Sequence, residues 1–412
     1  MRIKEKSLLL VLISALFIYN TCTFIRLQYS FYLATFLYVI VFLWALQAGW
    51  LKKTFFLHSS IIKWFVLLTC FSSLIYVHGG SYQWTTFFGS YIQILFWILA
   101  FEIVAKNFSE QEIKHYLNIH ILLMIFWSFA TIRALAMYPM ASRAMYGHAA
   151  EISDTSFLHS MGCGGYGFIY GLVFISMALF HKLLKQWNNI SQKKFLLLVP
   201  IVIFGYTIIK GAFTTALIML ILSAILLLFY ARTEKHGIGI LLLFATATFI
   251  FGFYSEFIDL IYAIGELFGI NLFMNKMEMI NQALNAEDIE RLSRFQNYYA
   301  SWLGFIANPI VGSSGAGGDS QILVHLSYMG LGGLTYIGFL HSAFTVMKNY
   351  IDKQFVNIIE ILTVFLALFN TFKDMTSISV VFFLTPCLML ADKKSEVANA
   401  AKDEVINESV SN

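Results

Sequence analysis

Between Asn285 and Gly333 the chain gathers Arg291 and Arg294, a turn Asn308-Pro309-Ile310-Val311-Gly312, and the pair Asp319-Ser320, just before a long apolar run. Paired arginines with a carboxylate nearby suit a phosphorylated substrate, because the guanidinium fork matches phosphate oxygens two at a time. The setting sharpens the point. Ionisable groups at a membrane rim are costly to desolvate and usually mark a pathway or a site, and almost everything else in this chain is membrane-like.

Of 412 residues, 59% are hydrophobic and 12% charged, whereas an ordinary soluble domain carries about 25% charged residues. The chain reads as an all-α polytopic transmembrane bundle. A crossing needs roughly 20 mostly apolar residues, and such runs occur at about 7–24, 29–50, 61–77, 86–104, 116–132, 163–181, 195–209, 212–230, 237–254, 321–347, 354–371 and 375–391. About twelve spans result, forming one transmembrane domain over 1–391. The polar tail 392–412 is expected to be a disordered cytoplasmic extension.

The basic residues test the count, since a missed span would scatter Lys and Arg over both sides. With Met1 inside, 19 of the 27 fall on the cytoplasmic side and 8 outside: Arg26, Arg133, Arg143, Lys210, Lys276, Arg291, Arg294 and Lys373. Both termini are therefore expected in the cytoplasm, and the outward cations need a reason. The N-terminus has the basic start and apolar stretch of a signal peptide, but no small-x-small cleavage site follows, so an uncleaved first helix is expected. A net charge of +4 fits basic loops on anionic lipid heads rather than nucleic-acid binding. Cys22, Cys70, Cys163 and Cys387 show no paired spacing and read as small buried hydrophobes, with a Cys22–Cys163 disulfide open because both fall near the outer face.

Two outward loops stand out by length, about 133–162 and 254–320, both too apolar for disorder. In the second, Asn285 can cap a helix over about 286–307, with Glu287, Asp288 and Glu290 at its positive end. Ile289, Leu292, Phe295, Tyr299, Trp302, Leu303 and Ile306 then form an apolar stripe that lies on the membrane or caps the bundle. Arg291, Arg294 and Tyr298 share the adjoining face at helical spacing. The arginines can pair with Glu287 and Glu290 as a solvated face, or converge with Lys210. That lysine sits in the short turn Ile209-Lys210-Gly211-Ala212, as an interfacial cation or as the third member of an anion site.

The stretch from Asn308 to Gly312, followed by Asp319-Ser320-Gln321-Ile322-Leu323-Val324-His325-Leu326-Ser327-Tyr328-Met329-Gly330-Leu331-Gly332-Gly333, resembles the tail region of bacterial O-antigen and capsular polysaccharide polymerases of the Wzy type. These are relatives of the O-antigen ligases, which commonly carry His-Asn where this chain has Asp319-Ser320. The Ile209-Lys210-Gly211-Ala212 turn is similar to the Ser-Arg-Gly-Ala turn of that superfamily, with Lys for Arg. The likeness covers the topology of most of the chain through short, degenerate motifs.

The resemblance implies a metal-independent glycosyltransferase of the bacterial inner membrane, needing no cofactor. It would move a growing glycan from undecaprenyl pyrophosphate to the terminal sugar of another lipid-linked repeat unit. Its partners would be the undecaprenyl-pyrophosphate-linked oligosaccharide, membrane lipids, and a chain-length regulator and flippase. Arg291, Arg294, Lys210 and Arg143 would hold the pyrophosphate, with the two loop arginines counted as catalytic beside Asp319 as general base. Asp319 reads equally as a cap for the next span. His325 reads as a core histidine. Tyr298, Tyr299, Trp302, His148 and Asp154 are candidates for glycan contact, although an aromatic belt is the default account of rings at this level, in a chain that is 17% aromatic. His148, Glu151, Asp154 and His159 match no familiar metal-ligand spacing. The rival readings are a ligase handing glycan to lipid A core and a transporter such as a lipid-linked oligosaccharide flippase, though span centres almost free of charge sit poorly with the latter.

Overall fold

The computed structural model describes residues 3–28, 31–47, 60–145, 156–185, 195–230, 293–314 and 318–394, with 263, 266 and 267. Among them every element is helical. In chain order these are α1 (Ile3–Thr21), α2 (Thr23–Gln28), α3 (Phe31–Gln47), α4 (Ser60–Asn107), α5 (Glu110–Met137), α6 (Ala141–Ala144), α7 (Ser156–Ser160), α8 (Tyr166–Lys185), α9 (Phe195–Gly211), α10 (Thr214–Tyr230), α11 (Ser293–Ala307), α12 (Gln321–Met329), α13 (Leu334–Met347), α14 (Lys353–Phe369) and α15 (Met375–Ser379). A 3-10 turn, Gly330–Gly333, joins α12 to α13, and a π turn, Val380–Leu384, carries α15 on as one helical run to Lys394.

Five helical runs among the described residues are long and apolar enough to cross a membrane: Ser60–Asn107, Glu110–Met137, Tyr166–Lys185, Gln321–Met347 and Met375–Lys394. The apolar segments Ser7–Thr21, Leu196–Gly211 and Thr214–Phe229 are shorter. The expected run 237–254 lies outside the described residues.

α4 merges two expected spans. A straight helix of its 48 residues would be about 72 Å long, more than twice the hydrocarbon thickness. Gly80 breaks it, at φ 81° and ψ 175°, a conformation essentially confined to glycine. The Trp84 indole N–H then donates to Ser72 Oγ at 3.3 Å and its ring meets Tyr76 edge-on. Residues twelve apart in a straight helix would be separated by about 18 Å, so α4 is a hairpin whose two arms meet through a single glycine.

Polar contacts collect at two ends of the bundle. At one end Glu102 accepts from Lys106 and Tyr350, Lys182 pairs with Asp392 at 2.5 Å, and the Lys394 ammonium donates to the carbonyls of Ala105 and Phe108. α5 starts there on a capping box between Ser109 and Glu112. At the other end Thr23 donates to the Cys163 carbonyl, Gly164 to Thr131, Arg143 to Ala212, and Arg26 to Asn20 and Thr376. Among the described residues, Lys106, Lys182 and Lys394 thus share one end of the bundle, and Arg26 and Arg143 the other. Between the ends the core is apolar and aromatic, with Trp97, Phe101, Phe174, Phe344 and Phe383 fully buried.

Candidate functional site

The Asp319 segment is held by α11 and by the link between α14 and α15. α11 begins at Ser293 in the described residues, so Asn285, Arg291 and the acidic residues of the expected first turn lie outside them. Its inner face packs on α12 through small residues: Ser301 is buried, and a Cβ on Gly304 would come within 2.2 Å of Ser327 Oγ. After α11 the turn Asn308–Ser313 lies along α12. Ser313 N–H donates to the Ser327 carbonyl at 2.6 Å, and Leu331 N–H donates to the Pro309 carbonyl at 2.7 Å. The two glycine-bearing motifs of the sequence are thus partners in one contact, where the Cβ of any other residue at Gly312 would sit 2.3 Å from the Tyr328 carbonyl carbon.

This docking brings Asn297 to Asp319, and the Asn297 amide donates to Asp319 Oδ2 at 2.5 Å. Arg294 holds the register position one turn earlier on α11. The carboxylate does not cap α12. The helix begins at Gln321, so the cap is Ser320, whose Oγ accepts from Leu323 N–H at 3.2 Å. Asp319 is left half-buried at the mouth with one oxygen engaged.

The next contact outward is the link 370–374. Gln321 N–H donates to the Asn370 carbonyl, the Asn370 amide donates to the Tyr170 hydroxyl at 2.5 Å, and Asp374 caps α15 through Thr376 N–H. Tyr170 and Tyr166 pack on Phe213. Phe213 follows the Ile209–Ala212 turn, where Arg143 is buried, with its guanidinium 5.2 Å from the Phe213 ring and Nη2 donating to the Ala212 carbonyl at 2.5 Å. Ala212, at φ 53°, is the positive-φ non-glycine residue of the described chain. Lys210, in the last turn of α9, places its ammonium 5.8 Å from the Tyr206 ring. Arg143 therefore contacts the turn that carries Lys210, and that turn is linked to the Asp319 segment through Phe213, Tyr170, Asn370 and Gln321.

The aromatic candidates divide. Tyr298 faces inward and its hydroxyl donates to the Phe369 carbonyl at 2.8 Å. Tyr299 and Trp302 lie with Leu303 and Ile306 on the face away from Asn297 and Ser301, all exposed, as the described part of the expected apolar stripe. His148 and Asp154 lie outside the described residues. His325 is fully buried, packed between Phe87 and Tyr336. Its Nδ1 lies 2.6 Å from the Gln321 carbonyl, which can only accept, so Nδ1 carries the proton and the Tyr91 hydroxyl donates to Nε2. The pair ties α12 to the hairpin. The Cys22 and Cys163 segments touch through Thr23, and both thiols are free.

Asn297 and Asn370 belong to this site although the sequence does not single them out. Asn297 stands three residues after Arg294, so helical spacing was a usable signal for it. Lys373 is one of the eight outward cations, and its ammonium lies 5.7 Å from the Phe87 ring centroid. Among the described residues no three His, Cys, Asp or Glu side chains cluster as metal ligands. No family model, no curated protein and no solved structure matches the chain.

What the arrangement offers chemically is one carboxylate steadied by a carboxamide, at the end of an apolar helical bundle where Arg143 and Lys210 are also held. A carboxylate in that position can take a proton from a hydroxyl while neighbouring cations receive a departing anion.

Proposed function

We propose that the chain is a glycosyltransferase of the O-antigen polymerase kind, working at the periplasmic face of a bacterial inner membrane. About twelve spans with both termini cytoplasmic would put the Asp319 end in the periplasm. The acceptor hydroxyl oxygen attacks the anomeric carbon from the face opposite the diphosphate, and the carbon–oxygen bond to the diphosphate breaks with its electron pair. The hydroxyl proton passes to Asp319 Oδ1, since Asn297 occupies Oδ2, and the anomeric configuration inverts. The lipid diphosphate already leaves well, so the protein mainly positions the hydroxyl and neutralises charge.

The observation that carries this reading is the Asn297–Asp319 contact at the bundle mouth, with Arg294 one turn away in register and Arg143 and Lys210 anchored at the same end. The test is complementation of a deletion strain, read as a lipopolysaccharide ladder. Asp319→Asn, Arg294→Ala and Asn297→Ala, each at normal protein level, are expected to leave a single repeat unit on lipid A core. A flippase defect would instead remove that unit, and a ligase defect would leave polymer on the lipid carrier. Full ladders from all three variants would end the proposal.

A further inference from the structure

We infer that Lys373 is a binding residue for the diphosphate of the lipid-linked substrate, an inference that rests on the glycosyl-transfer reading of the same site. The link that carries it is held at both ends. Asn370 is fixed by Gln321 N–H and the Tyr170 hydroxyl, and Asp374 is committed to the cap of α15. Between them the Lys373 ammonium rests against Phe87, the ring that also packs edge-on to His325 with centroids 4.9 Å apart. A single aromatic ring thus separates the ammonium from the first turns of α12, directly after Asp319.

Three observations point to an anionic ligand. No described carboxylate forms an ion pair with Lys373 at this mouth, whereas Lys106, Lys114, Lys182 and Lys348 each pair with one at the other end. The residue is exposed to solvent, yet burial around its ammonium pushes its pKa below the ordinary lysine value. An ammonium so placed gains more from an arriving anion than one already in water. The adjoining Gln321 is fully buried, and neither polar atom of its carboxamide has a hydrogen-bond partner. Buried polar groups of that kind are rare and usually serve something beyond packing. A diphosphate brings two anionic groups, and the anchored Arg143 and Lys210 lie along the same chain of contacts.

The test uses full-length protein in phosphatidylcholine nanodiscs, with undecaprenyl pyrophosphate, undecaprenol and phosphatidylglycerol as probes. Lys373→Ala is expected to weaken undecaprenyl pyrophosphate binding roughly ten- to hundredfold, as for loss of a charge-assisted contact. Undecaprenol binding should be unchanged, and Lys373→Arg should restore most of the loss. Lys373→Gln, which preserves the stem over Phe87, should behave like Lys373→Ala and guards against a packing effect. Equal undecaprenyl pyrophosphate affinity in wild type and Lys373→Ala overturns the inference. A matching loss for phosphatidylglycerol also overturns it, by making the residue a general lipid-headgroup contact. If Lys373→Ala loses the diphosphate while purified wild type transfers no glycan, the binding residue stands and the polymerase reading falls.

Discussion

Gly80 and Gly312 share a backbone angle but not a neighbourhood, and replacing each with alanine separates strain from collision. Gly80 sits at φ +81° with no atom within 4 Å of an added Cβ, and Gly312 at φ +79° with backbone of Tyr328 and Met329 at 2.3 to 2.6 Å. Placing an L-residue in such a conformation costs about 1–3 kcal/mol. Gly80→Ala should lose about that much. Gly312→Ala adds an overlap that rigid backbone cannot relieve by a rotamer change, worth about 1–3 kcal/mol more for a well-packed site. The difference corresponds to a factor of roughly 5 to 150 in the docked population, at tenfold per 1.4 kcal/mol. Gly304→Ala provides an internal control, because its nearest neighbour is the hydroxyl of Ser327 at 2.2 Å. That oxygen is buried without a partner, so Ser327→Ala should be tolerated alone and should rescue Gly304→Ala. Apparent melting temperatures of full-length protein in detergent, at one scan rate, give the stabilities, and the glycan ladder reports whether Asn297 still reaches Asp319. Gly312→Ala is expected to melt well below Gly80→Ala and to lose the ladder. Equal melting of the two variants would refute the docking of the Asn308–Ser313 turn on α12.

Arg143→Met should destabilise the fold by about 1.5–3 kcal/mol, the range for a hydrogen bond from a charged group. Arg143→Lys should recover little, because the buried donor to the Ala212 carbonyl is a guanidinium nitrogen; melting temperatures check both. His159 is held below the ordinary histidine value of 6.5 by burial and then by the charge of Arg26. The folded protein therefore resists a proton that the unfolded chain accepts, so stability should be flat above about pH 6.5 and fall as the pH drops below it. His159→Gln should flatten that acid limb in a series of thermal melts. Cys22 and Cys163, both buried and free, should stay unlabelled by a maleimide in intact membranes and react after denaturation, as read by mass shift.

Helix positions were legible because each span must be a run of apolar residues, and polar residues can interrupt it only at the ends. Among the described residues Lys106, Lys182 and Lys394 share one end and Arg26 and Arg143 the other, a grouping that their places between apolar runs had suggested. The Gly80 hairpin was not legible as such: the sequence leaves 78–85 between two expected spans, whereas one residue reverses the helix direction. The Asp319 segment was recognisable as chemistry, but its partner was not. Asn297 lies 22 residues away, and the contact depends on three glycines, Gly304, Gly312 and Gly330, whose value lies in what they allow to approach. Tyr298 was placed on a plausible face, yet only the packing of α11 beside Phe369 assigns its hydroxyl a partner. Ser320 took the cap expected of Asp319 because α12 starts one residue later than a cap at Asp319 requires.

The outward face of α11 bears Tyr299, Trp302, Leu303 and Ile306, and in a bilayer lipid is the medium that would cover it. The side of α11 that faces away from Asn297 is then supported by the surroundings rather than by the chain. A change in lipid thickness would then act on α11 from its exposed side and reach the Asn297 amide beside Asp319. On the proposed glycosyl-transfer reading, activity would then vary with fatty-acid length even with Asp319, Asn297 and Arg294 intact.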